Sequence, residues 1–227
     1  MKFYTFYTDN LSSQIIEDHQ AVCNHLDIQV EYHKHSYEED YDKIYREHGN
    51  FMTSVMKQEE IACFLDIDCL PHHKKNLVKT YEWVKENKFF AGNAQNISHT
   101  SMRNRIYAAA SCLMVHQNAW KTLGEPKLCW FSQNNIQVDT AQILSLRADE
   151  IGMPYQLMYP IGYDGDNHRA LGSYGNYGTG TLYPATYHYF RISDFTETIP
   201  DLWKSRVFNI LNNQKIIPNH SSCYYEL

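Results

Sequence analysis

The stretch Ile61-Ala62-Cys63-Phe64-Leu65-Asp66-Ile67-Asp68-Cys69-Leu70-Pro71 decides the fold. Five apolar residues in a row, with no polar alternation, predict a short strand buried on both faces, which needs helices above and below it. Two carboxylates follow at once. On a strand continued through them, Asp66 and Asp68 would face the same side, roughly 6.5 Å apart. Crowding two acids at the end of an apolar strand costs desolvation and mutual repulsion unless a cation or donors offset it. Strand ends of open α/β sheets are also where ligands bind. Hard oxygen ligands suit Mn²⁺ or Mg²⁺, which in turn bridge phosphate oxygens. The plainer alternative is that Asp66 and Asp68 only close the strand and cap the turn at Pro71.

On both sides of this stretch the pattern alternates strand and helix. Lys2 to Thr8 is aromatic and β-branched and predicts a first strand. Ser12 or Ser13 opens a helix to about His25, and Ile28 to Tyr32 predicts a second strand. The charged run from Tyr37 leads into Val55-Met56 as one or two helices, with a break expected at Gly49-Asn50. After Pro71 come a helix over Asn76 to Lys85, strands over Lys88 to Ala91 and Ile106 to Val115, and a short helix over Gln117 to Leu123. Val138 to Ile151 reads as a helix with Asp139 near its start and Gly152 just past its end. Tyr155 to Tyr159 and Thr186 to Ile192 predict late strands, and Pro200 to Leu211 a last helix. Between Ile161 and Thr181 lie six of the ten glycines, a composition expected of a long functional loop. The whole predicts one α/β domain over residues 1–212, with a mostly parallel central sheet flanked by helices, and a C-terminal tail over 213–227.

Composition narrows the function. The 227 residues suffice for one substantial core, and no run of 18 apolar residues predicts a membrane span. The first residues lack the basic, apolar and small-residue pattern of a secretory signal, so a cytoplasmic location is expected. Six cysteines without a C-x-x-C pair then read as reduced and structural. A net charge of −6 argues against a broad grip on nucleic acid or an anionic membrane and favours small substrates.

The Asp66-Ile67-Asp68 segment after its apolar strand resembles the D-x-D strand of nucleotide-sugar-dependent glycosyltransferases with the GT-A fold, a Rossmann-like domain. Tyr107 to Val115 is similar to the later strand of that fold, whose small residues approach the donor sugar. Val138 to Gly152 resembles its later helix carrying an acid near the start, although Asp139 follows Val138 where the family has a Glu-Asp pair. The resemblance spans roughly residues 1–191 as an order of elements, and the D-x-D is its specific motif. It implies a metal-dependent enzyme that moves a hexose or pentose from a nucleoside-diphosphate-sugar donor to an acceptor hydroxyl. That hydroxyl belongs to a glycan, a protein, a lipid-linked sugar or a hydroxylated DNA base, the last disfavoured by the net charge.

The resemblance implies a role for particular residues. His188 matches the late histidine that joins Asp66 and Asp68 in the metal site, which favours Mn²⁺ over Mg²⁺; the other reading is a half-buried histidine in an aromatic strand. His168, His72 and His73 stand in reserve. Asp139 is the expected catalytic base, held ionised at a helix N-terminus, or else a capping acid. Thr8, Asp9 and Asn10 would contact the nucleotide or form an Asx turn. Lys57, Arg103 and Arg105 would face the diphosphate or remain surface charges. Two other classes stay open. A haloacid-dehalogenase-type phosphatase also sets D-x-D after an apolar strand, but expects a threonine at position 70, which is Leu. The other is a non-catalytic sugar- or nucleotide-binding domain.

Overall fold

The computed structural model describes residues 1–96, 106–133, 136–164, 180–190, 192 and 199–221. Its first half alternates β1 (Lys2–Thr8), α1 (Ser13–His25), β2 (Gln29–His35), α2 (Tyr41–Met56) and β3 (Ile61–Leu65). Then come β4 (Cys69–Pro71), α3 (Lys74–Asn87), β5 (Phe90–Gln95), β6 (Tyr107–His116), α4 (Gln117–Thr122), β7 (Phe131–Gln133), β8 (Ile136–Val138), α5 (Gln142–Ile151) and β9 (Gln156–Met158). The chain closes with β10 (Gly162–Tyr163), β11 (Gly180–Leu182), β12 (Thr186–Tyr189), α6 (Asp201–Leu211) and β13 (His220–Ser221).

The central sheet has the order β2-β1-β3-β6-β5-β9. All its pairings are parallel except the two made by β6, which runs against β3 and β5. The expected α/β class with a mostly parallel sheet flanked by helices is therefore what forms. Strand alternation sorts the core into two layers. Phe3, Cys63, Cys112 and Met114 face α1 and α3 through Cys23, Leu77 and Val84. Their neighbours Tyr4, Phe64, Leu113 and Val115 face α2, α4 and α5 through Met52, Met56, Trp120, Leu144 and Ala148. Burying each such side chain contributes roughly 1.5–3 kcal/mol, which is why β3 is apolar throughout.

A second, antiparallel sheet of order β13-β10-β11-β12-β4 is built at the end of β3. It packs with α1 and α6 around Ile15, Leu70, Tyr187, Trp203 and Val207. A buried ion pair fastens it. Arg206 on α6 donates from Nη2 to both oxygens of Asp164, at 2.8 Å each, and Tyr187 Oη and the Asn219 amide also donate to that carboxylate. Of the expected C-terminal tail over 213–227, the described part as far as Ser221 is bonded to the core, with Ile216 buried.

Three local expectations change. α2 runs unbroken through Gly49, because the helix lies backbone to backbone on the Leu128-Cys129 connector. A Cβ at Gly49 would stand 2.2 Å from the Cys129 Cα, so glycine serves contact here and not a break. The helix expected from Val138 begins only at Gln142, since Ile136–Val138 pairs with β7. β3 stops at Leu65: the Cys69 amide donates to the Asp66 carbonyl at 2.9 Å and turns the chain into β4. Asp66 and Asp68 therefore sit on a turn, and the same-face geometry of a continuous strand does not apply.

Candidate active site

The β3-β4 turn is held from several sides. The Asp66 amide donates to Ser111 O on β6 at 3.1 Å, and the Tyr189 amide donates to Asp68 O at 2.8 Å. Asn93 on β5 donates to Ser111 Oγ and Thr186 Oγ1, joining three strands beneath the turn. Antiparallel pairing of β12 with β4 sets His188 opposite Cys69, next to Asp68. The His188 Nε2 to Asp68 Oδ1 distance is 3.3 Å, with the imidazole 5% and the carboxylate 19% exposed. The structure thus brings His188 and Asp68 together across more than a hundred residues of sequence.

Asp66 has a second histidine beside it. Its Oδ1 lies 3.6 Å from Nε2 of His48 on α2, a residue that the sequence did not single out. Burial, then the neighbouring Asp68, raises the Asp66 carboxyl above the usual carboxylate range, with Asp139 adding to the rise and His188 opposing it. Burial likewise lowers His48 to about 4, so neither shift favours an ion pair there. His188 behaves differently. Burial opposes its charge, but Asp68 and then Asp66 outweigh burial and raise it.

Orphaned polar atoms mark the same place. His188 Nδ1 is buried with no hydrogen-bond partner, Asp68 Oδ1 has none beyond the 3.3 Å approach of His188 Nε2, and Nε2 of His19, on α1, is likewise without one. Buried polar atoms left unpaired are costly, and atoms of this kind at a strand end suit a site that takes a ligand or ion. Among the described residues no three His, Cys, Asp or Glu side chains cluster tightly enough to close a cation site by themselves. Asp68 and His188 form a pair, and Asp66 Oδ1 lies 3.6 Å from His48 Nε2. Mg²⁺ and related ions are commonly held by one or two carboxylates plus substrate phosphates and waters, so this donor pair fits such an ion only as a shared site.

Asp139 follows β8, three residues ahead of α5, and the N-cap position belongs to Ala141 in a left-handed conformation (φ 64°). The helix-dipole argument for Asp139 therefore weakens. Its carboxylate is oriented instead by Tyr107 Oη donating to Oδ2 at 2.5 Å and by the Thr140 amide donating to Oδ1 at 2.8 Å. Burial, followed by Asp139, keeps the Tyr107 phenol protonated far above its ordinary range. Buried Thr140 Oγ1 and Gln142 Nε2 are also without partners beside it.

At the ends of β1 and β2, Thr8 Oγ1 donates to Asn10 Oδ1 at 2.6 Å, and Asp9 Oδ1 accepts the Tyr37 amide at 2.7 Å. These three residues form a fixed rim beside a ring cluster absent from the sequence reading. Phe6 stacks on His48 with centroids 5.0 Å apart, and His33 stacks on Phe51 at 4.5 Å. The period-2 spacing of His33 and His35 was visible, but nothing in it tied them to Phe6 or to α2. Lys57 is not brought in. It is the C-cap of α2, four residues before β3 begins, at the opposite end of that strand from Asp66. Arg103, Arg105, His168 and most of the glycine-rich segment lie outside the described residues. His72 Nε2 donates to Tyr183 O at 2.9 Å, and His73 caps α3, so both are engaged elsewhere.

No protein-family model and no curated protein matches the sequence. Among solved structures the chain is similar to a glycosyltransferase involved in the glycosylation of the major capsid of PBCV-1, with a TM-score of 0.40 and 11% identity over 69% of this chain and 80% of that one. Among the described residues no helix is long and apolar enough to cross a membrane.

Proposed function

We propose that the chain is a metal-dependent glycosyltransferase that moves a sugar from a nucleoside diphosphate to an acceptor hydroxyl. The observation that carries this reading is the Asp68 carboxylate with His188 Nε2 set 3.3 Å from its Oδ1 and His188 Nδ1 buried without a partner, on a turn at the end of the central sheet. Strand ends of such sheets are the ligand edge of α/β folds.

Asp68 and His188 would hold the ion, Asp66 and His48 would line the space beside it, and the Phe6, His33 and His48 rings with Thr8, Asp9 and Asn10 would receive the nucleotide. Mn²⁺ or Mg²⁺ bound there would supply Lewis-acid stabilisation of the departing diphosphate. Asp139 receives the acceptor proton, while Tyr107 and the Thr140 amide keep its carboxylate in one orientation. Leu70, fully buried in β4, leaves the phosphatase alternative without the hydroxyl it needs.

The test is Mn²⁺-dependent release of nucleotide from a panel of nucleoside-diphosphate sugars. Turnover in the wild type is expected with one of them, and Asp68→Asn is expected to lower it about 100-fold or more, the scale of losing a several-kcal/mol electrostatic interaction. Wild-type turnover in Asp68→Asn, or no donor used with any divalent ion, would refute the reading.

A further inference from the structure

A groove of about 510 Å³ opens between α2, the connector after α4, β7 and α5. Its lining includes Arg46, Lys127, Arg147, Trp130 and Phe131, and no carboxylate. That is a reversal of the chain's overall balance, which is −6. Among the described residues none of the three cations forms an ion pair. Glu47 stands on the same helix, 3.5 Å from Asn50 Nδ2, but outside the lining.

The walls are braced rather than loosely apposed. Cys129 Sγ lies 3.4 Å from Arg46 O and 3.3 Å from Asn50 Oδ1, and the Leu128 amide donates to Thr53 Oγ1 at 3.1 Å. Arg147 is steadied from α5 by donating to Leu123 O at 2.7 Å. Trp130 and Phe131 are each only partly buried, leaving ring surface in the groove. Phe131 pairs with Val138, the residue before Asp139, so the groove ends at the hairpin that carries the candidate base.

Unpaired cations with exposed aromatic faces suit a ligand that has both negative charge and a ring to stack. We propose that this groove binds an acidic saccharide, one bearing carboxylate or phosphate groups, as the acceptor chain. The acceptor role rests on the glycosyltransferase reading; the binding itself does not. A saccharide fits better than nucleic acid, because a net charge of −6 opposes the approach of a long polyanion, whereas three cations in one groove match a short acidic chain.

The test uses the full chain and calorimetric titration with hexagalacturonate, pentamannosyl phosphate, maltohexaose and hexathymidylate. Binding of at least one acidic saccharide, weakening with added salt, is expected, with none of the neutral maltohexaose. The two acidic probes distinguish carboxylate from phosphate as the anion. Arg46→Gln with Lys127→Gln is expected to weaken that binding about ten-fold, and both sites are exposed, so folding is retained. Donor hydrolysis measured without acceptor is expected to be unchanged in the same variant. No binding of either acidic saccharide, equal binding by the variant, or tighter binding of hexathymidylate would overturn the proposal. Lost donor hydrolysis in the wild type with groove binding intact would refute only the enzyme reading.

Discussion

Replacing Asp164 by Asn should destabilise the protein severely, and the size of the effect follows from what remains behind. Asp164 and Arg206 are 1% and 6% exposed. The guanidinium reaches the carboxylate by Nε at 3.1 Å and by Nη2 at 2.8 Å, and it lies over the Tyr187 ring. Burial opposes the Arg206 charge, and Asp164 more than restores it. The amide in Asp164→Asn keeps one oxygen, so it can accept at the position facing Tyr187 or at the one facing the Asn219 amide but not at both, and the larger loss is the countercharge of a nearly buried cation. Breaking a buried pair in this way costs about 3–5 kcal/mol. For a chain of this size that corresponds to a fall in Tm of roughly 10 °C. Arg206→Met in the same background removes the stranded charge, so the double variant should recover part of the loss. Urea unfolding of the wild type, both single variants and the double variant measures the coupling. A single variant within about 1 kcal/mol of wild type, the worth of a surface pair, would refute the reasoning. So would a double variant no more stable than Asp164→Asn.

Two further outcomes follow from the same structure. His19 is fully buried and lowered to about 4 by burial, with Asp68 opposing the shift. Its folded value lies below its unfolded one, so its contribution is complete above about pH 6.5 and is lost as pH falls toward 4, roughly 3 kcal/mol in all. The pH slope of stability in that window should therefore be shallower in His19→Gln than in the wild type; the opposite drift from the raised Asp66 is common to both and cancels in the difference. Equal slopes in urea titrations would count against a buried neutral His19. Gly49→Ala should cost about 1–3 kcal/mol by forcing α2 off the Cys129 backbone, although alanine is the better helix former. A rise in Tm for that variant would show that the close approach is not constraining.

The amino-acid order alone determined the α/β class, because periodicity is local. Five apolar residues at Ile61–Leu65, bounded by acids, predict a strand covered on both faces, and the neighbouring amphipathic helices supply the cover. It also determined where to look, since two acids directly after such a strand are costly unless something compensates them. The sequence could not decide what compensates them. His188 reaches Asp68 only because β12 pairs with β4 in one register; a shift of one residue would turn His188 to the other face. His48 meets Asp66, and Phe6 meets His48, only because α2 crosses the sheet unbroken, which depends on a glycine whose role is contact. Lys57 fails as a phosphate ligand for the same kind of reason: the direction of α2 carries it to the far end of β3. Local pattern sets which segments are strands and helices, whereas register and packing, which are properties of distant pairs, set which side chains meet.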